Sequence, residues 1–241
     1  MLFSTLLFNE VENLFRLSYD SAFGGRINLN WDLEYMKWYR RYHRARFAYF
    51  KWKTRKHFSF GPGCDIYTPA ITFDGWGNVI FDEGCFLEKG GLGVHFTVGW
   101  GGRVRFGPRM WIRTWYQPNV FCCDPGGIIE IGADSMVSGI MIRVKKEVKI
   151  GKRFLGAYGS RILDSDFHDL DNDTPEKSAP IVIGDYVWLC SDVTVLAGVH
   201  IGDHAVIGAG SIVTDDIPDH VFAVGRPAKP VKSIGDRTST R

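Results

Sequence analysis

His168 stands in ILDSDFHDLD, a histidine among aspartates, with Asp166 two residues before it and Asp169 directly after. An imidazole titrates near neutrality, with an unperturbed pKa of about 6.5, so it can take a proton and return it at working pH. Other reactive groups are less organised. His200 and His204 are four residues apart, which invites a metal, but no third ligand accompanies them and no metal is expected. Among five cysteines only Cys122 and Cys123 are adjacent, and they fall in what reads as an outward excursion. The absence of CxxC argues against zinc-ribbon or thioredoxin-type chemistry, and unpaired thiols suit a reducing compartment, the cytoplasm by default. His43 and His95 read as structural or solvated, and Cys190 as a small core residue.

Charge is concentrated in one place. Between Lys37 and Lys56 lie nine Lys/Arg and no Asp or Glu; removing them leaves 20 basic against 27 acidic residues. In the same segment Trp38, Tyr42, Ala45, Tyr49 and Trp52 recur at helical spacing. Residues 1–57 are therefore expected to form an N-terminal helical extension that packs this stripe on the remaining fold and turns its charges to water. The basic segment 37–56 could also meet an anionic membrane surface or an acidic glycan. Nucleic acid is not expected, because no binding motif accompanies the charge. No apolar run reaches the roughly 18 residues of a membrane span, and the N-terminus, with Glu10 and Glu12 and no basic start, is a poor signal peptide.

The elements that must position His168 follow from a repeat. From Ile183 every sixth residue is branched aliphatic: Ile183, Leu189, Val195, Ile201, Ile207, Val213. A second inward series follows four places after each: Val187, Val193, Val199, Ala205, Ser211, Ile217. A six-residue period belongs neither to a helix nor to a plain strand, and it suits very short strands bending at regular corners, each coil stacking on the next. The 28 glycines among 241 residues exceed the usual share of about 7%, as frequent corners require.

Upstream, the anchors Phe60, Phe81, Phe106, Ile131, Ile150, Ile183 and Ile201 are spaced by 21, 25, 25, 19, 33 and 18 residues. Eighteen is one three-sided turn, and the surplus is expected to leave the coil at corners. The longest surplus, about residues 164–180, carries His168, and a long loop on a rigid solenoid is a usual place for chemistry.

IGDYVWLCSDVTVLAGVHIGDHAVIGAGSIVTDDIP, the tail AVGRPAKPVK and the loop DSDFH together resemble the hexapeptide-repeat acyltransferases. Within them the chain looks most like the sugar O-acetyltransferases of the maltose, galactoside and capsule or O-antigen type. The resemblance spans about residues 60–232, most clearly from Ile131 onward. It implies a left-handed parallel β-helix over 58–222, with the loop insertion at 164–180 and a C-terminal tail at 223–241.

It also implies an acetyl-CoA-dependent transferase and a homotrimer with sites between subunits. His168 would be the general base on an acceptor sugar hydroxyl, with Asp166 or Asp169 fixing its tautomer. Ser191, Ala209 and Thr214 would line the acetyl-CoA groove, Trp188 would border the pantetheine arm, and Lys229 and Lys232 would meet the nucleotide phosphates. One departure stands out: relatives often have Lys after the Thr, where this chain has Asp215. The alternatives are N-acetylation of an amino sugar and a non-catalytic glycan-binding or scaffold β-helix.

Overall fold

The computed structural model describes residues 41–42, 45–66, 71–88 and 92–238. The chain divides into a unit of residues 1–46 and a second unit, 47–241. The second unit is a left-handed parallel β-helix of three sheets with seven, nine and seven strands. Seven coils each contribute one strand to every sheet. The first strands are Phe58–Phe60, Asn78–Phe81, Arg103–Phe106, Ile128–Ile131, Glu147–Ile150, Ile181–Ile183 and His200–Ile201. A final antiparallel hairpin, Val221–Gly225 with Ala228–Ser233, extends the second sheet.

The ladder expected from spacing is the ladder observed. Phe60 pairs Phe81, Phe81 pairs Phe106, and Ile131 joins Phe106 to Ile150, which pairs Ile183, then Ile201. The second inward series is buried throughout, from Val187 to Ile217. Why Gly-Asp follows so many anchors is visible in the corners. Asp203 Oδ1 accepts the Asp185 N–H at 2.7 Å, and Asp219 Oδ1 accepts that of Asp203 at 2.8 Å. Each carboxylate occupies the space where the preceding coil's residue would carry a Cβ. A Cβ on Gly184 would lie 2.3 Å from Asp203 Oδ1, and one on Gly202 2.1 Å from Asp219 Oδ1.

The helix tapers, and side-chain volume explains it. Third strands run five residues in the first three coils (Ile71–Gly75, Val94–Val98, Asn119–Cys123) and two in the last two (Thr194–Val195, Ile212–Val213). Wide coils need large side chains to reach native packing density. Phenylalanines supply them: Phe81 stacks on Phe106 at 4.8 Å and Phe96 on Phe121 at 5.4 Å. Val, Ile, Leu and Ala fill the narrow end. The surplus residues of the early coils thus lie partly in longer strands, which corrects the expectation that they all leave the coil. Cys122 and Cys123 belong to such a strand, with Cys123 buried.

A helix over 45–54 precedes the first coil. Its buried side is not the expected stripe. Tyr49 and Trp52 are exposed, and Trp38 lies outside the described residues. Phe47 and Phe50 pack instead, edge-on to Phe60 at 5.2 Å and to Phe58 at 5.6 Å. The aromatic end of the first coil selects the ring pair that can meet it edge to face. Lys51, Lys53, Arg55 and Lys56 are exposed, as expected.

Candidate active site

The loop over 164–180 leaves the fifth coil after Arg161–Leu163 and returns to Ile181–Ile183. Its base is held by Asp164, which has no exposed surface. Asp164 Oδ1 accepts the Lys145 N–H at 2.7 Å, and Oδ2 accepts those of Lys146 and Glu147 at 2.7 and 2.9 Å. A buried carboxylate is tolerated when backbone donors surround it in this way.

The loop then folds as a hairpin whose two limbs pair at Ser165 and Ser178. Glu176 on the return limb hydrogen-bonds the Ser165 hydroxyl and receives Lys145 Nζ at 2.5 Å. The Lys145 ammonium and the Ser165 hydroxyl, with a smaller contribution from neighbouring His168, hold the Glu176 carboxyl below the usual carboxylate range.

Phe167 directs the histidine that follows it. Its backbone takes φ of 65°, its N–H donates to Ser165 Oγ at 3.0 Å, and its ring lies under the Arg143 guanidinium, 3.9 Å from the centroid. A bulky residue rarely adopts this left-handed conformation unless its surroundings hold it there. His168, next in the chain, is exposed.

The two aspartates named with His168 by resemblance each give one oxygen to the backbone of the return limb. Asp169 Oδ1 accepts the Glu176 N–H at 2.7 Å, and Asp166 Oδ2 accepts that of Lys177 at 3.4 Å. Both carboxylates tie the outgoing limb to the return limb. Asp164, Glu176, Lys145, Arg143 and Phe167 have no role in the sequence reading; the only signal for the first was the doubled aspartate in DSD.

The residues expected at the cofactor lie on the last two coils and the hairpin that follows them. Ser191 and Ala209 share the corner between the second and third sheets, where the Gly210 N–H donates to the Ser191 carbonyl at 2.9 Å. Thr214 is exposed beyond the last strand of the third sheet. Its hydroxyl donates to Asp215 Oδ2 at 3.0 Å, and Lys229 Nζ reaches the same oxygen at 2.8 Å. Lys229 and Thr214 hold the Asp215 carboxyl below its ordinary range, and Lys177 of the loop adds to this. Seventh coil and hairpin thus meet at Asp215. Lys232 is exposed on the hairpin. Trp188 lies on the outer face of the second sheet, with the Arg237 guanidinium 5.4 Å from its ring centroid.

His200 and His204 do not act as a pair. The His200 N–H donates to Asp216 Oδ1 at 2.8 Å, whereas His204 sits at a corner in a column that links successive coils. Arg109, Asp134, Arg153, Tyr186, His204 and His220 occupy it, all with φ between 53° and 60°. The Arg109 guanidinium donates twice to Asp134, at 2.7 and 2.8 Å, and Tyr186, His204 and His220 stack at 4.8 and 4.6 Å. His204, His220 and Asp236 bring three ligand atoms within 4.8 Å of one another. The two imidazoles are 10° from parallel, however, so lone pairs lying in the ring planes do not converge on one ion. His204 Nδ1 already accepts the Arg237 N–H at 2.9 Å.

Galactoside O-acetyltransferase of Escherichia coli (strain K12) is 50% identical over 70 residues, which are 29% of this chain and 34% of that protein. The chain thus aligns with about a third of the length of that relative. The crystal structure of the polySia-specific acetyltransferase NeuO superposes with TM-score 0.48 at 25% identity, covering 77% of this chain and 84% of that one. A maltose O-acetyltransferase from Clostridium difficile 630 gives TM-score 0.40 at 25% identity, with 76% and 73% covered. Residues 180–215 match the family described as bacterial transferase hexapeptide (six repeats). That match falls on the sixth and seventh coils of the β-helix.

Proposed function

We propose that the chain transfers the acetyl group of acetyl-CoA to a hydroxyl of a sugar or surface-polysaccharide precursor. The observation that carries this reading is the 50% identity over 70 residues with a galactoside O-acetyltransferase. The geometry supports it, because the loop bearing His168 is pinned at its base by the buried Asp164 carboxylate.

His168 takes the hydroxyl proton as the acceptor oxygen attacks the thioester carbonyl, and gives it to the departing thiolate. Arg143 and Phe167 set where the imidazole stands. Ser191, Ala209 and Thr214 face the donor, Lys229 and Lys232 its phosphates, and Trp188 its pantetheine arm. We read Asp166 and Asp169 as loop ties that keep His168 in place, and no protein metal takes part. The active unit is a homotrimer, and the exposed basic helix before the first coil holds it at an anionic membrane surface or glycan on the cytoplasmic side.

The test is CoA release from acetyl-CoA with a panel of galactosides, maltosides and amino sugars. Acceptor-dependent release with an ester product cleaved by mild alkali is the expected result. An alkali-stable amide would instead make the chain an N-acetyltransferase, and no release with any acceptor would leave it a non-catalytic β-helix. Light scattering should give about three times the 27.2 kDa chain mass; a monomer would overturn the trimer.

A further inference from the structure

Three aromatic side chains project into solvent at the corner between the second and third sheets. Trp115 is 57% exposed, Tyr116 73% and Tyr158 45%. Tyr116 belongs to the third coil and Tyr158 to the fifth, two coil spacings or about 9–10 Å apart. Their ring centroids are nevertheless 6.0 Å apart. The intervening coil makes this possible by presenting Gly139 there, with φ of 66°. A Cβ on Gly139 would lie 2.7 Å from Gln117 Cβ and 3.2 Å from Tyr158 Cβ, so the neighbouring side chains close over it. Two rings thus meet across a coil that contributes no side chain.

The same corner runs without a break into the groove assigned to acetyl-CoA. The Gly159 N–H donates to the Gly139 carbonyl at 2.9 Å, the Asp192 N–H to Tyr158 at 3.0 Å, and the Gly210 N–H to Ser191 at 2.9 Å. Tyr158 therefore stands one coil from Ser191 along a hydrogen-bonded edge.

We propose that this edge is a glycan platform. Tyr116, Tyr158 and Trp115 stack on successive sugar residues of the acceptor, which is accordingly an oligo- or polysaccharide chain and not a free monosaccharide. The proposal rests on the transferase reading and names the substrate class of that site. The chemistry favours a sugar chain over other occupants. A pyranose offers a face of C–H groups for an aromatic ring and a rim of hydroxyls for Tyr Oη and for Gln117, exposed and next to Tyr116 in the chain.

The test measures binding of galactose and sialic acid oligosaccharides, monomer through octamer, to the full chain by calorimetry, with transfer assayed on the same samples. Affinity in at least one series should rise with length, and Trp115→Ala/Tyr116→Ala/Tyr158→Ala should abolish that rise, a loss of about ten- to hundred-fold on the longest oligomer. Tyr116→Phe/Tyr158→Phe keeps the rings and should keep most of the gain, which separates stacking from misfolding. Affinity for CoA and release of CoA to water should not change in either variant. Length-independent affinity, no binding in either series, or a gain that survives the triple alanine variant overturns the proposal. Length-dependent binding without any acetyl transfer would sink the transferase reading and leave the platform standing.

Discussion

Lys145 Nζ and Glu176 Oε2 lie 2.5 Å apart, joining the turn after the fourth coil to the return limb of the loop that carries His168. The pair decides whether the histidine is held or free. Glu176→Gln should leave the β-helix intact but open the loop, seen as faster proteolytic cleavage within 165–177 and a fall in turnover with little change in melting temperature. The pH response follows from the depressed Glu176 carboxyl. Such a group contributes stability that is present above the ordinary carboxylate value of about 4.3 and is lost as pH falls through the lower folded value. Cleavage in the wild type should therefore stay slow at about pH 5 and accelerate only below the ordinary carboxylate range. Acceleration already at pH 6 would assign the tether to another group.

Asp164 should matter most for stability. Asp164→Ala strands three backbone N–H groups that now donate to its carboxylate, at a cost of about 2–4 kcal/mol in urea unfolding. Asp164→Asn keeps one acceptor oxygen and should cost less. Equal stability of both variants with the wild type would mean that water replaces the carboxylate freely.

Lys229, which we propose meets the donor phosphates, is paired with Asp215. Asp215→Asn releases Lys229 from its 2.8 Å pair and should tighten CoA binding about two- to five-fold at low salt, fading as salt rises. Lys229→Ala should weaken it. If Asp215→Asn weakens CoA binding instead, the carboxylate positions the lysine and does not compete for it.

His168→Ala should lower acceptor-dependent CoA release by roughly two to four orders of magnitude while CoA affinity holds. His168→Asn should be nearly as poor, since an amide cannot take the proton. Because the side chain is exposed, the melting temperature should stay within what about 0.5 kcal/mol would shift. Retention of most of the rate would remove His168 from the chemistry.

Gly184→Ala tests the corner rule. The new methyl would enter the space of Asp203 Oδ1 and should cost about 1–3 kcal/mol. Asp203→Gly in the same chain should restore part of it, and no restoration would place the clash on backbone alone.

The β-helix was legible in the chain because each coil buries a short, fixed set of side chains. An Ile or Phe at every coil start must stack on its neighbour, so Phe60 through Ile201 announce the ladder in their spacing alone. The loop over 164–180 was legible for the same reason, as residues that the period cannot absorb. Tyr49 and Trp52 misled because helical spacing reports a face but not what that face meets. The rings at the end of the first coil chose Phe47 and Phe50.

Within the loop, the resemblance named Asp166 or Asp169 as the partner of His168; that a hairpin pairs residues across its limbs, so that Asp169 also receives the Glu176 N–H and Asp166 that of Lys177, was not legible in the sequence. Lys145 with Glu176, Arg143 with Phe167, and Tyr116 with Tyr158 are separated by tens of residues. Only the stacking of one coil on the next brings them together.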